Sequence, residues 1–240
     1  GVALGVRIEE ARVNVFLNSR SPATQNISVS ATPYTLSFLG TGTITLSGAS
    51  TAGPLVGTGT NNRVALTFTP SAGTLTCTVS GTMDFVQVEA GSFATSPIVT
   101  TGSSATRAAD NISIAASSFP STATAGTAYV VATRDTIESG NILCFDDTTN
   151  NEKHQIYYNG GYIGVTTDGG VSQATLAALG ADTVGATSKV VYAWQVNSIV
   201  GVRNGGTAFT DASATMPTTT RVVIGSLASG QPALNSHLKA

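Results

Sequence analysis

Side chains able to move a proton, hold a metal or attack a carbonyl are few in this chain, and they are scattered. The two histidines are His154 and His237. His154 follows Glu152 and Lys153, a setting that reads as a solvated turn, and His237 reads as a strand residue. Zinc needs three or four ligands at close spacing, and the sequence offers no such cluster. It contains no Gly-x-Ser-x-Gly elbow and no phosphate loop ending in Lys-Ser/Thr. Cys77 and Cys144 lie far apart. Cys77 alternates with Leu75 and Val79, the spacing of one core-facing side of a strand. Two free thiols fit this pattern better than a disulfide.

Carboxylates and aromatics remain. Glycosidases work with paired acids about 5–10 Å apart. Glu9-Glu10 is flanked by Arg7 and Arg12, which reads as structural ion pairing. Asp146-Asp147, followed by Thr148-Thr149-Asn150-Asn151-Glu152, is the richest oxygen-bearing loop. It reads as a polar hairpin loop, with calcium, which takes six to eight oxygens, or a binding contact as the alternatives. Tyr157, Tyr158 and Tyr162 flank one hairpin, and alternation turns at least one of them away from the core. There it is an edge residue or a contact for a glycan or a neighbouring subunit. Trp194 shares an apolar face with Val190, Tyr192 and Val196 and belongs to the core. The candidate glycan or partner contacts are therefore Tyr157, Tyr158, Tyr162, Asp146 and Asp147. No catalytic residue, metal ligand or cofactor is expected, and the chain does not read as an enzyme.

The elements that must position these residues are strands. Ile27 and Val29 alternate with Ser28 and Ser30; Tyr34, Leu36 and Phe38 alternate with Thr35 and Ser37. The same period of two runs through Ile44–Leu46, Val64–Phe68, Leu75–Val79 and Phe85–Val88. One-sided alternation marks antiparallel strands with one buried face. Gly40-Thr41-Gly42, Gly57-Thr58-Gly59, Asn61-Asn62 and Ala72-Gly73 punctuate them. Further on, Tyr129–Thr133, Ile142–Phe145, Gln155–Tyr158, Tyr162–Val165, Val190–Val196, Ile199–Val202 and Val222–Gly225 read as strands. Asn159-Gly160-Gly161 signals a hairpin. Val171 to Ala181 reads as strand plus loop, with a short helix as the alternative. The expectation is an all-β chain of two antiparallel β-sandwich, jelly-roll modules in tandem. A lead-in spans 1–24, a first module 25–96, a connector 97–109 and a second sandwich 110–240.

With 240 residues the chain has room for two such modules. Only 10% of residues are charged, against about 25% in a typical soluble domain; Thr, Ser, Gly and Ala take their place. A net charge of -2 with 41% hydrophobic residues argues against disorder. No basic patch suggests nucleic acid. No apolar run approaches the roughly 20 residues that span a bilayer, so membrane insertion is not expected. The first residues lack signal-peptide features, and the chain reads as an internal piece of something longer.

Two segments carry a family resemblance. Gly5-Val6-Arg7-Ile8-Glu9-Glu10-Ala11-Arg12, with Asn14 and Leu17-Asn18-Ser19, resembles a lead-in of the form GLLVEEARTNLLLNS. Gln87 to Ser96, continuing to Thr100-Thr101-Gly102-Ser103 and Thr106-Arg107-Ala108-Ala109-Asp110, is similar to a connector of the form QLEAGSFATSYIPTTGS…TRAAD. Both recur in virion proteins of tailed bacteriophages, and Pro97 and Val99 depart from the pattern. The resemblance implies a jelly-roll similar to carbohydrate-binding modules, then a sandwich similar to concanavalin-type lectins and laminin G domains. Val202-Arg203-Asn204-Gly205 and Pro217 to Ser226 fit the latter. In that family the second sandwich continues past Leu238, so a truncated C-terminal end is expected. The resemblance also implies a structural protein of a fibre, spike or head decoration, located in the virion and aiding host-surface or glycan attachment. Its partners would be copies of itself as a homotrimer, other virion proteins and a host glycan. The competing reading is a secreted bacterial carbohydrate-binding module attached to a larger enzyme.

Overall fold

The computed structural model describes residues 6–118, 124–133, 139–177, 179–225 and 236–239. Among them the regular structure is strand, apart from one 3-10 turn at Ala116–Ser118. The chain forms two compact units, and their order along the sequence is interleaved. One unit is Ala11–Ala108; the other is Gly1–Glu10 together with Ala109–Ala240.

The Ala11–Ala108 unit is an antiparallel sandwich. One sheet has the order Gln25–Val29, Gly73–Ser80, Thr43–Gly48, Leu55–Val56, and the other Gly59–Phe68, Tyr34–Gly40, Met83–Ala90. The inward members of each alternating run build one core: Ile27, Leu36, Phe38, Ile44, Leu46, Leu75, Cys77, Val86 and Val88, with Phe16 from the lead-in. The lead-in is thus part of this unit from Ala11 onward. Arg12–Asn14 pairs antiparallel with Ala105–Arg107, Asn14 opposite Ala105.

One feature departs from the alternation reading. The strand Tyr34–Gly40 is buried on both faces, with Thr35 and Ser37 fully covered, as are Gln87 and Glu89 beside them. The connector lies over this second face. The Glu89 carboxylate accepts hydrogen bonds from Thr95 N (2.8 Å), Thr95 Oγ1 (2.7 Å) and Gln87 Nε2 (2.6 Å). Gln87 Oε1 accepts from Ile98 N at 2.7 Å. Arg63 donates to Ser37 Oγ (2.8 Å) and to the Thr95 carbonyl. Polar alternation therefore serves a second buried layer here, in which Ser37, Gln87, Glu89 and Thr95 bond groups of the connector or the sheet.

Asn14 ties the lead-in to the same layer. Its Nδ2 donates to the carbonyls of Val86 (3.0 Å) and Ile98 (2.9 Å), and its Oδ1 accepts from Phe16 N and Val88 N (both 3.0 Å).

In the larger unit the described residues form two six-stranded antiparallel sheets. The first runs Val6–Ile8, Ser236–Lys239, Ala125–Thr133, Thr187–Gln195, Ser198–Arg203, Phe209–Asp211. The second runs Ile112–Ala115, Arg221–Ile224, Gly140–Asp146, Lys153–Tyr158, Tyr162–Asp168, Val171–Leu176. Val171–Leu176 is thus a strand, and Leu179 after it is a buried loop residue. The core holds Val190, Tyr192, Trp194, Ile199, Ile156, Tyr158 and Tyr162. Two glycines make room for its large rings. A Cβ on Gly164 would meet the Tyr192 ring at 2.4 Å, and one on Gly126 the Trp194 ring at 2.4 Å. Val6–Ile8 and Arg12–Asn14 both have strand partners within the chain.

The Asn14 side chain serves four backbone groups in a fully buried position. Replacing Asn14→Ala strands them, at about 1–3 kcal/mol for the groups that find no substitute. The expected loss is about 3–5 kcal/mol in guanidinium unfolding followed by far-UV circular dichroism. A loss below about 1 kcal/mol would show that the network is dispensable.

Candidate functional site

The five sequence-derived contact residues separate into different environments. Tyr158 and Tyr162 are 2% and 0% exposed. Their rings pack edge to face at 5.4 Å inside the larger unit, so neither offers a face to a glycan, and both are corrected to core residues. Strand alternation explains it: Tyr158 and Tyr162 are directly opposed across the hairpin and share the inward side. Tyr162 donates its hydroxyl proton to Asp182 Oδ2 at 2.6 Å. Asp182 also accepts from Ser188 Oγ at 2.6 Å and pairs with Arg203. Nothing in the spacing of Asp182 marks it as the hub of this cluster.

Asp146 is also buried, at 1% exposure. Its carboxylate takes Arg221 Nε at 2.5 Å and Nη2 at 3.2 Å, and Thr148 N at 2.9 Å. It is corrected from a contact residue to the buried half of an ion pair, its carboxylate oxygens turned to Arg221 and the Thr148 amide and away from solvent. Asp147 is only half covered, and its Oδ1 accepts from Thr149 N (2.8 Å) and Thr149 Oγ1 (2.6 Å). The Thr149 hydroxyl holds its carboxyl below the usual range. Glu152 closes the loop by accepting from Gly169 N (2.7 Å) and Thr218 N (3.0 Å). These carboxylates organise the loop's own backbone, and among the described residues no group of three or more His, Cys, Asp or Glu side chains is placed to hold a metal.

His154 is not on a solvated turn. It opens the inward side of Lys153–Tyr158, is 2% exposed, and stacks on Trp194 at 4.4 Å between ring centroids. Its Nδ1 bonds Thr166 Oγ1 (2.9 Å), which bonds the Tyr192 hydroxyl (2.7 Å). Nε2 has no hydrogen-bond partner among the described residues. The apolar alternation becomes visible only at Gln155, whereas the strand starts two residues earlier and so turns His154 inward. Side-chain facts for His237 lie outside the described residues, although its backbone belongs to the strand Ser236–Lys239. Cys77 and Cys144 are free and buried, and desolvation pushes the Cys77 thiol up to about 12, away from a reactive thiolate.

Tyr157 is the sequence candidate that meets an opening with its neighbours. At the Tyr157 end of the sheet a cleft of about 100 Å³ is lined by Ser139, Gly140, Asn141, Gln155, Tyr157, Tyr158 and Asn159. A β-bulge between Asn141 and Leu143 shapes it. Without the extra residue, Asn141 would share the inward side of Leu143 and Phe145. With it, Asn141 stands opposite Tyr157, and its Oδ1 accepts from Gln155 Nε2 at 3.0 Å. Ser139 Oγ donates to Asn159 Oδ1 at 2.9 Å.

Fold and site together define an all-β protein of two sandwich units, one inserted in the sequence of the other, with a polar, aromatic-edged cleft on one sheet. No family model and no curated protein matches the chain. Among solved structures it has a distant match to the mouse laminin alpha1 chain, domains LG4-5. That match has 10% identity and a TM-score of 0.38, covering 100% of this chain and 89% of that one.

Burial draws the His154 imidazole from 6.5 down to about 3. The unfolded chain therefore takes up this proton first as pH falls. Stability is full above about pH 6.5 and declines toward pH 3, by up to about 1.4 kcal/mol per pH unit. Trp194 is the sole tryptophan, so its fluorescence reports unfolding of the larger unit. Between pH 7 and pH 5 the expected loss is about 2 kcal/mol. His154→Met should remove most of that difference; an unchanged pH slope in the variant would refute the assignment.

Proposed function

We propose that the chain is a non-catalytic structural module of a tailed-phage virion appendage (a fibre, spike or head decoration) that takes part in attachment to a host surface or its glycans. The observation that carries this reading is how the two resemblance segments meet. Arg12–Asn14 of the lead-in pairs with Ala105–Arg107 of the connector. Asn14 bonds the Ile98 carbonyl, and Glu89 and Thr95, both within the second resemblance segment, bond each other. Residues shared with the phage pattern thus have one joint structural task, which supports a resemblance of architecture over a chance match of short strings. The absence of enzymatic activity is part of the proposal. It is supported by the commitments of Asp146 to Arg221, Asp182 to Arg203 and Glu152 to backbone amides.

The carbohydrate-binding-module reading is favoured by the cleft beside Tyr157, which suits a secreted module as well as a virion protein. Gold-labelled antibody against this chain, applied to particles from its source, decides between them. Label on the appendages is expected, and purified chain should compete with those particles for adsorption to host cells. Label confined to secreted enzyme fractions would favour the second reading and refute the first.

Self-assembly, as a homotrimer, completes the proposal. Supporting it are the 10% charged composition, well below the roughly 25% of a typical soluble domain, and the outward row of Tyr129, Val191 and Val202 in register. Tyr129 is 59% exposed. Light scattering of the protein should give a trimer. A micromolar monomer would refute self-assembly, and a dimer would refute the trimer alone.

A further inference from the structure

We infer that the cleft beside Tyr157 is a subsite for one neutral pyranose ring, an inference that rests on the attachment reading above and names its ligand class. The bonds that the lining residues make among themselves leave a defined set of groups free. Gln155 directs its amide N–H to Asn141 Oδ1. Its Oε1 is left as an acceptor without a partner among the described residues. Asn159 Oδ1 receives the Ser139 hydroxyl, so the Asn159 amide N–H₂ is left as a donor. The Tyr157 hydroxyl supplies a group that both donates and accepts. An acceptor, a donor and a dual group in one small cleft complement sugar hydroxyls, each of which is itself both donor and acceptor.

Charge and size narrow the class. The lining residues carry no ionisable group except the phenols of Tyr157 and Tyr158. An anionic sugar or phosphate would meet no counter-charge on these walls, and desolvating it there is unfavourable. At about 100 Å³ the cleft is far below the roughly 300–1,000 Å³ of pockets that engulf a small molecule. It can seat one edge or face of a single ring, with the rest of the sugar in solvent. The half-buried Tyr157 offers an apolar surface of low conformational entropy against which the C–H face of a pyranose can lie. The two amides that fix orientation are nearly immobile, since Asn141 and Gln155 are 1% and 6% exposed. So small a contact gives weak binding, about millimolar for a lone ring. A multimeric array would raise its avidity.

The test uses the full chain and ligand-observed and protein-observed NMR. The probes are the methyl glycosides of glucose, galactose and N-acetylglucosamine, with glucuronate as the anionic comparator. At least one neutral pyranoside should bind with a Kd of about 1 mM, shifting amides at Ser139–Asn141 and Gln155–Asn159. Tyr157→Ala should weaken it at least about tenfold while leaving the Trp194 unfolding midpoint in place. Should Tyr157→Ala unfold, the exposed Asn159→Asp variant carries the same test, and its binding should fall by a similar factor. Three results each overturn the inference: no neutral pyranoside binding at about 20 mM, glucuronate binding as tightly as the neutral sugars, or binding unmoved by these substitutions. If the chain still competes with particles for host cells while no pyranoside binds, the attachment reading stands and the sugar subsite falls.

Discussion

A carboxylate removed from water must be answered by donors placed around it, because an unanswered buried charge costs several kcal/mol. Glu89 imposes that requirement on the smaller unit. Its side chain is fully buried, and Thr95 answers it twice, through backbone and hydroxyl. To bring Thr95 there, the connector must fold back across the sheet face that carries Ser37 and Gln87. Once it does, Ile98 meets Gln87, and Thr100 meets Ser19 and Phe16. The lead-in is then enclosed between the Val86–Val88 backbone and the connector, where only a residue with the donors and acceptors of Asn14 fits. Much of the second buried layer follows from satisfying one charge.

The larger unit is organised differently, around ring volume. Trp194, Tyr192 and His154 form one cluster, with Phe145 edge-on to Trp194 at 5.0 Å. Bare backbone at Gly126 and Gly164 admits the rings. The polar atoms inside are neutral and chained: imidazole to Thr166, Thr166 to the Tyr192 phenol. Polar groups in such a core specify a unique packing when satisfied and are expensive when charged.

The strands are legible in the sequence because one rule governs them: a half-buried strand shows its period, as Ile27, Leu36, Ile44 and Leu75 do. The same rule fails where a second condition acts. Thr35 and Ser37 look solvent-facing because their cover is a distant segment whose path depends on Glu89. Tyr158 and Tyr162 look like hairpin decoration, but their direct pairing across a three-residue turn commits both to the core. His154 looks like a turn residue because the two residues that open its strand are charged or polar. Asn141 reaches the cleft through a bulge, a one-residue slip that no alternation pattern in an apolar run such as Ile142-Leu143-Cys144-Phe145 can reveal. An outward tyrosine is legible, since parity turns at least one of the three away from the core, but that it is Tyr157 is not; nor are the amides beside it, as Asn and Gln carry no distinctive spacing.

The interleaved order of the two units has a consequence for how the chain reaches its native state. The larger unit needs both Glu9 and Asp110, which bond each other in both directions at 2.9 Å, yet all of Ala11–Ala108 is threaded between them. Were that stretch unstructured, bringing its ends together would cost on the order of 4 kcal/mol in loop entropy. Folded, its own ends are already adjacent, because Arg12 stands opposite Arg107 in a strand pair. The strand pair at its ends holds the entry and exit of the insertion side by side, so an inserted sandwich that is folded spares the larger unit most of that closure entropy.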